Sequence, residues 1–217
     1  MWIERQPPEL KVVGSSPASL TQMDPIILAS SSLRRQEYFR LLGLPFNIIP
    51  PKLDEKPQPG QTPEEYTRDL AARKINAILE QLKGRIPRWI CSADTVISVD
   101  DDIYGKPADR GEAKSMLERY QDREHTVTTS VALFNGKTQN TDCRTVQSGV
   151  SFAPLSEKEI EWYLNTGEWQ GVAGSYRIQG LGSCFISSIR GSYSAIVGLP
   201  IHEFYRMLID NGYQYGP

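Results

Sequence analysis

At 217 residues, 39% hydrophobic and 23% charged, the chain has the size and balance of a soluble globular domain, either one body or two lobes around a cleft. Its formal net charge of -2 excludes a global electrostatic pull toward nucleic acid or an acidic membrane, so any basic function must be local. Cys91, Cys143 and Cys184 are far apart and form no CxxC pair, which argues against a disulfide framework or structural zinc and fits a reducing, cytoplasmic compartment.

No stretch approaches the length of a membrane span, and the N-terminus lacks a basic-then-apolar signal layout. Residues 1–24 read as an aperiodic leader containing Pro7-Pro8 and Gly14-Ser15-Ser16-Pro17, ahead of one domain over 25–217. Met23 precedes the first regular pattern, so translation is expected to start there; the alternative is a genuine N-terminal tail.

Ile26-Ile27-Leu28-Ala29 reads as a short strand, followed by Ser30-Ser31-Ser32 and a helix from Leu33 to Leu42 that Gly43 stops. A strand, a serine turn and a helix in succession point backbone N–H groups at whatever sits above the strand end. Phe46–Ile49 is extended and leads into a Pro-rich loop holding Asp54 and Glu55. Thr62-Pro63-Glu64-Glu65 is a helix start with a capping box, and Ala71, Ile75, Ile78 and Leu82 share the face that follows. Trp89-Ile90-Cys91 leads as a buried strand into 93–97, and a hairpin through Asp100–Asp102 returns to Tyr104-Gly105-Lys106-Pro107. Asp109 and Glu112 open a helix burying Ala113, Met116, Leu117 and Tyr120. Val127, Thr129, Val131 and Leu133 alternate as a strand, Asn135-Gly136 turns, and Val146–Phe152 returns. Ser156 caps a helix through Leu164. A Gly-rich run over 171–182 precedes an expected strand pair at Phe185-Ile186 and Ala195–Val197. A last helix is expected to bury Ile201, Phe204, Tyr205, Leu208 and Ile209. This order predicts an α/β fold around a mixed central sheet flanked by helices.

Arg34 and Arg35 stand in the first turn of a helix, where the macrodipole disfavours cations. A bound anion reverses that penalty; the plainer reading is a solvated basic helix start. Lys74, at the edge of an apolar stripe, reads by itself as a lysine snorkelling to water. Lys106, held between Gly105 and Pro107, reads as a turn lysine. Asp94, expected at a strand end, is either a metal ligand or general base, or a carboxylate satisfied by local amides. Glu55 is the weaker acid, since loop carboxylates are usually solvated. Gly180-Leu181-Gly182-Ser183-Cys184-Phe185 fails as a dinucleotide fingerprint at Phe185, and no P-loop sequence occurs. His125 and His202 are isolated, which excludes a zinc pair and a Ser-His-Asp triad; His125 is expected to end a turn and His202 to start a helix. The remaining inventory of four cations and two carboxylates suits a metal-bound triphosphate.

Leu28-Ala29-Ser30-Ser31-Ser32-Leu33-Arg34-Arg35-Gln36-Glu37 resembles the opening signature of the Maf family of nucleotide pyrophosphatases. The resemblance continues through Ala93-Asp94-Thr95, Gly105-Lys106-Pro107, Ala173–Gly180 and Gly191-Ser192-Tyr193 to Val197–Pro200. It implies two lobes around a deep cleft, similar to the inosine-triphosphate pyrophosphatases, and commonly a homodimer. It implies cleavage between the α- and β-phosphates of a nucleoside triphosphate with a divalent cation, magnesium foremost and manganese or cobalt as substitutes. By matching position, Asp94 is implied as the catalytic acid/base and Glu55 as a second metal ligand. Ser30, Arg35, Lys74 and Lys106 are implied phosphate contacts, with Ser32 beside them in the serine turn. Arg34, Thr95 and Gln179 fall where subgroups differ in base choice, and the Ile178-Gln179-Gly180 form resembles the dTTP/UTP subgroup. Alternatives are a purine or modified-nucleotide substrate, or a nucleotide-binding regulator of cell division without turnover. Nucleic acid is disfavoured as a partner by the net charge and the lack of a basic, aromatic-rich pattern. Two residues depart from the family pattern: Leu33 replaces a usual proline, and Arg177 stands where glycine is common. Arg177 either adds contacts to the nucleotide, alters specificity, or points to solvent.

Overall fold

The computed structural model describes residues 23–56, 60–100 and 102–215; the leader expected over 1–24 lies outside these except for Met23 and Asp24. Seven strands form one mixed sheet, ordered β2-β1-β3-β5-β6-β7 with β4 on β3. The parallel part joins β2 (Phe46–Ile48), β1 (Ile26–Leu28) and β3 (Trp89–Val99), whose pairing with β1 is confined to Ile90 and Cys91. β5 (Glu124–Asn135), β6 (Asn140–Phe152) and β7 (Ile186–Arg190) continue it antiparallel, and β4 (Asp102–Tyr104) folds back on β3 from Ile97 onward.

Between Cys91 and Ile97, the edge of β3 opposite β5 therefore has no strand beside it among the described residues. That gap positions the site. It also corrects the placement of Asp94, which lies in the middle of an eleven-residue strand rather than at its end. β1 stops at Leu28 and the chain leaves the sheet through Ser30–Ser32, so the neighbouring strand ends, not β3 itself.

Helix α2 (Pro63–Gln81) covers one face of the sheet, packing Ala71, Ile75 and Ile78 against Ile90, Ala132 and Phe134. Its start has the expected capping box: the Thr62 hydroxyl accepts from the Glu65 amide, and the Glu65 carboxylate accepts from the Thr62 amide. α1 (Leu33–Leu41) and α6 (Ile201–Asp210) cover the other face, with Phe39, Phe204, Met207 and Leu208 against Trp89, Val131 and Leu133. β5 is consequently buried on both sides over most of its length. A second core gathers at the far end of β3, β5 and β6, where α3 (Arg110–Tyr120), α4 (Glu157–Asn165) and two 3₁₀ turns pack over Ile97, Val127, Val150 and Phe152.

Several local expectations fail for identifiable reasons. Ala195–Val197 is not a strand but part of helix α5 (Tyr193–Val197), because Ser192 caps it and Gly198 closes it at a φ of 124°. Tyr205 and Ile209 are exposed and Ile201 is half-buried, since the face of α6 that meets the sheet is Phe204, Met207 and Leu208. The hairpin turn expected at Asn135-Gly136 is present, as a four-residue loop closed by Asn135 paired to Asn140. His125 does not end a turn. It is buried on β5, with Nε2 2.7 Å from the Tyr176 hydroxyl and its ring packed on Tyr120 and Phe152. No helix among the described residues is long and apolar enough to cross a membrane.

Candidate active site

A cleft of about 760 Å³ opens beside the unpaired edge of β3, where the two cores meet. Its lining brings together Ser30, Ser32, Arg34, Arg35, Glu55, Lys74, Asp94, Thr95, Lys106 and Gln179, all ten candidates from the sequence.

Successive side chains of a strand point to opposite faces. Asp94 thus projects toward α2 and Thr95 toward α1, and both reach the cleft because it runs past an open sheet edge. On the α2 side Lys74 is buried, not snorkelling: Nζ lies 2.8 Å from Asp94 Oδ1 and 3.2 Å from Glu55 Oε1. The same ammonium faces the Ala93 carbonyl at 3.5 Å, an acceptor left over at the gap in the sheet. A lysine in an apolar stripe reads as a snorkel until the partner that takes its charge is known, and here that partner is twenty residues away.

Glu55 is loop-borne but held. The Tyr66 hydroxyl donates to the Glu55 carbonyl, and Arg73 Nη2 donates to the Asp54 carbonyl at 2.7 Å, so α2 fixes the loop from two points. Burial, with Asp94 and Glu55 adding, pushes the Tyr66 phenol up to about 12, keeping it a proton donor to that carbonyl. Sequence reasoning missed Tyr66; its place one turn into a capped helix that follows the acidic loop was the available signal. Asp94 Oδ2 makes no hydrogen bond among the described residues.

On the α1 side Arg35 is buried and bonded to neutral oxygens only. Nε donates to the Gly198 carbonyl at 2.8 Å, Nη1 to Ser30 Oγ at 3.0 Å and Nη2 to Thr95 Oγ1 at 3.3 Å. Thr129 Oγ1 supports Thr95 from behind, 2.9 Å from Thr95 Oγ1 and 2.7 Å from the Ala195 carbonyl. Burial pulls the Arg35 guanidinium below its ordinary value, opposed by Asp94 and Glu55. Arg34 is lowered as well, first by burial and then by the charges of Arg177 and Arg35, and its Nε is buried without a partner. Among the described residues, neither Arg34, Arg35, Arg177 nor Lys106 forms an ion pair.

The start of α1 adds to this. α2, α3, α4 and α5 have side-chain caps, whereas Ser32 makes no capping bond and no acidic residue stands in the first turn of α1. Its first amides are therefore open donors at the positive end of a dipole, next to two arginines. Desolvated cations and open amides without a counter-charge are costly unless an anion completes them.

Lys106, in the loop after β4, and Gln179, after the first 3₁₀ turn, are both exposed where they line the cleft, and the Gly174 amide donates to the Gly105 carbonyl at 2.9 Å to tie the two segments together. No group of three or more His, Cys, Asp or Glu side chains among the described residues could hold a metal. Asp94 and Glu55 converge on Lys74 Nζ, so the point they share is taken by the ammonium, and a hard cation would have to use their remaining oxygens with most of its ligands from phosphate and water.

Proteins of known name match most of this chain. A dTTP/UTP pyrophosphatase from Symbiobacterium thermophilum is 44% identical over 191 residues, covering 88% of this chain and 96% of its own. One from Shewanella oneidensis is 40% identical, covering 86% and 98%. A solved nucleoside-triphosphatase / dITP/XTP pyrophosphatase from Mycobacterium abscessus covers 86% of this chain and 95% of its own at 12% identity and a TM-score of 0.41, too distant to add to the assignment. Residues 25–211 match the family described as Maf-like protein, with the signature arginines, Asp94 and Lys106 all inside the match, and the chain belongs to that family.

Proposed function

We propose that this protein is a nucleoside-triphosphate pyrophosphatase that hydrolyses dTTP and UTP to the monophosphate and pyrophosphate, a house-cleaning role in the nucleotide pool. One observation carries the reading: a cluster of cations without counter-anions faces a carboxylate with a free oxygen across one cleft. Relatives named dTTP/UTP pyrophosphatase, alike over nearly their whole length, supply the substrate.

In this reading the triphosphate lies along Ser30, Ser32, Arg35 and the open amides of α1. Asp94, through Oδ2, orients a water in line with the α-phosphorus and takes its proton. Lys74, Lys106 and Arg35 stabilise the charge that grows on the equatorial and bridging oxygens, and removal of one such charge lowers the rate by on the order of a hundredfold. Lys74 also keeps Asp94 aligned in the resting state. Glu55 and Asp94 would hold the divalent cation, magnesium first and manganese or cobalt in its place, which would neutralise phosphate charge and acidify bound water. Arg34, Thr95 and Gln179 would meet the nucleoside end. The reading includes a reducing, cytoplasmic setting, supported by three free thiols, and a homodimer, checked by sedimentation at micromolar protein.

The test is pyrophosphate release from a panel of nucleoside triphosphates, with magnesium and with chelator, for the wild type and Asp94→Asn. Metal-dependent release strongest with dTTP or UTP, and lost in a folded variant, is the expected result. Turnover by Asp94→Asn near the wild-type rate removes Asp94 from its role, and no release from any substrate overturns the pyrophosphatase reading.

A further inference from the structure

The cleft is chemically two-sided. One part of its lining, Ser30–Ser32, Glu55, Lys74 and Asp94, is polar and charged, whereas a second part, Val172, Ala173, Ile178, Ile196 and Val197, is apolar. The nucleobase is the least polar part of a nucleotide and belongs on the second part. Within residues 172–178, the stretch that supplies Val172, Ala173 and Ile178 to this lining, Arg177 is the charged side chain.

Its surroundings hold it in place. Nε donates to the Glu168 carbonyl at 3.1 Å, and this is the side-chain hydrogen bond the structure gives Arg177. The Glu168 carboxylate in turn accepts from the Tyr163 hydroxyl at 3.0 Å and from the amides of Leu181 and Gly182 at 2.9 and 3.1 Å. Glu168 thereby ties both Arg177 and the turn after Gln179 to the end of α4. Arg177 lines the cleft, its two terminal amino groups make no hydrogen bond among the described residues, and the Arg34 guanidinium, which lines the same cleft, is close enough to feel their charge. Arg35 feels Asp94, Cys91 and Glu55, whereas Arg34 feels Arg177, Arg35 and Glu37, so Arg177 is a charge neighbour of Arg34.

We propose that Arg177 is a specificity-determining residue that donates hydrogen bonds to the C4 carbonyl of uracil or thymine and so rejects cytosine; the proposal rests on the pyrophosphatase reading above. A guanidinium has N–H donors and no acceptor. Uracil and thymine present an acceptor at O4, where cytosine presents an amino group that is itself a donor. A fixed arginine therefore bonds the first two bases and leaves two donors facing each other with the third. A site built around one such bond discriminates by about tenfold or more.

The test is kcat/KM for UTP, dTTP and CTP, with equilibrium binding of UMP and CMP, in the wild type, Arg177→Gly, Arg177→Gln and Arg177→Lys. The ratio of UTP to CTP is read within each protein, so a partial loss of folded material cancels. The wild type is expected to favour UTP and dTTP. Arg177→Gly should lower the UTP:CTP ratio about tenfold. Arg177→Gln should lower it as far, because its amide can turn its oxygen to the amino group of cytosine, and Arg177→Lys should keep part of it. A wild type without preference, an equal fall for all substrates (a phosphate contact), or an unchanged ratio (a solvent-facing side chain) each overturns the proposal. Absence of turnover on every triphosphate overturns the enzyme reading instead. The UMP:CMP binding ratio then decides the proposal alone: lost in Arg177→Gly it stands, and unchanged it fails.

Discussion

Replacing Lys74 by methionine preserves the length and apolar stem of the side chain and deletes only the charge between Asp94 and Glu55. The Lys74 and Asp94 side chains are 6% and 10% exposed, so their 2.8 Å pair is nearly dry, while Glu55 is 47% exposed. Breaking a fully buried pair by removing one partner costs about 3–5 kcal/mol, because the other charge is stranded. Asp94 keeps one oxygen toward the cleft and its water, which moves the expected cost to about 2–3 kcal/mol. The half-exposed contact with Glu55 adds no more than about 0.5 kcal/mol. For a domain of this size the loss appears as a fall of roughly 5–10 °C in Tm. Urea unfolding of the wild type, Lys74→Met, Asp94→Asn and the double variant measures it, with an unchanged m-value as the sign that the native state is intact. Asp94→Asn removes the very charge that Lys74→Met strands, so the double variant should be more stable than the sum of the singles by about 1–2 kcal/mol. Additive effects, with Lys74→Met costing less than about 0.5 kcal/mol, would refute the reasoning that this lysine neutralises a buried carboxylate.

Burial, with Arg123 adding, pushes His125 down to about 3, while the unfolded chain binds a proton near pH 6.5. Stability present above about pH 6.5 is therefore lost as pH falls toward 3, by about 1 kcal/mol per unit, and His125→Gln should flatten the decline of the urea midpoint between neutral and mildly acidic pH. Gly174 has a φ of 68°, and a Cβ there would lie 2.1 Å from Ile97 Cδ1. Gly174→Ala should cost at least about 2 kcal/mol in thermal or urea unfolding and disturb the wall that carries Arg177. Of the three free thiols, exposed Cys184 should react first with a disulfide-exchange reagent, while buried Cys91, pushed up to about 12, should react only on unfolding.

What the sequence revealed was what neighbouring residues decide. The capping boxes at Thr62 and Ser156, the Asp109 cap and the buried face Ala113, Met116, Leu117 and Tyr120 are signals within four residues or at helical spacing, and each is present in the structure. The site candidates came from ordered motifs, and the fold brings all ten to one cleft. What stayed hidden was set by partners distant in the chain. Lys74 depends on Asp94, His125 on Tyr176, and the Arg35 geometry on the Gly198 carbonyl, 163 residues on. Ala195–Val197 reads as a strand in the sequence because a short apolar run has no period. Ser192 and Gly198 at its two ends, a cap and a stop, carried the better information.

The gap in the sheet explains why a mid-strand residue can act as though it stood at a strand end. Had β1 run two residues further, it would have paired with Ala93 and sealed the edge, and Asp94 would face only α2. Because the chain instead turns away at Ser30, the backbone beside Asp94 and Thr95 is open on one side and fully paired to β5 on the other. Rigidity comes from the paired side, where Asp94 is opposite Ser130 and Thr95 opposite Thr129. Access comes from the open side. Two adjacent residues on opposite faces of one strand thus present a carboxylate backed by Lys74 and a hydroxyl backed by Arg35 to the same cleft. The alternation that normally separates strand neighbours here sets the Asp94 carboxylate and the buried Arg35 guanidinium on two sides of one opening, which is the arrangement the proposed reading needs for a phosphate chain.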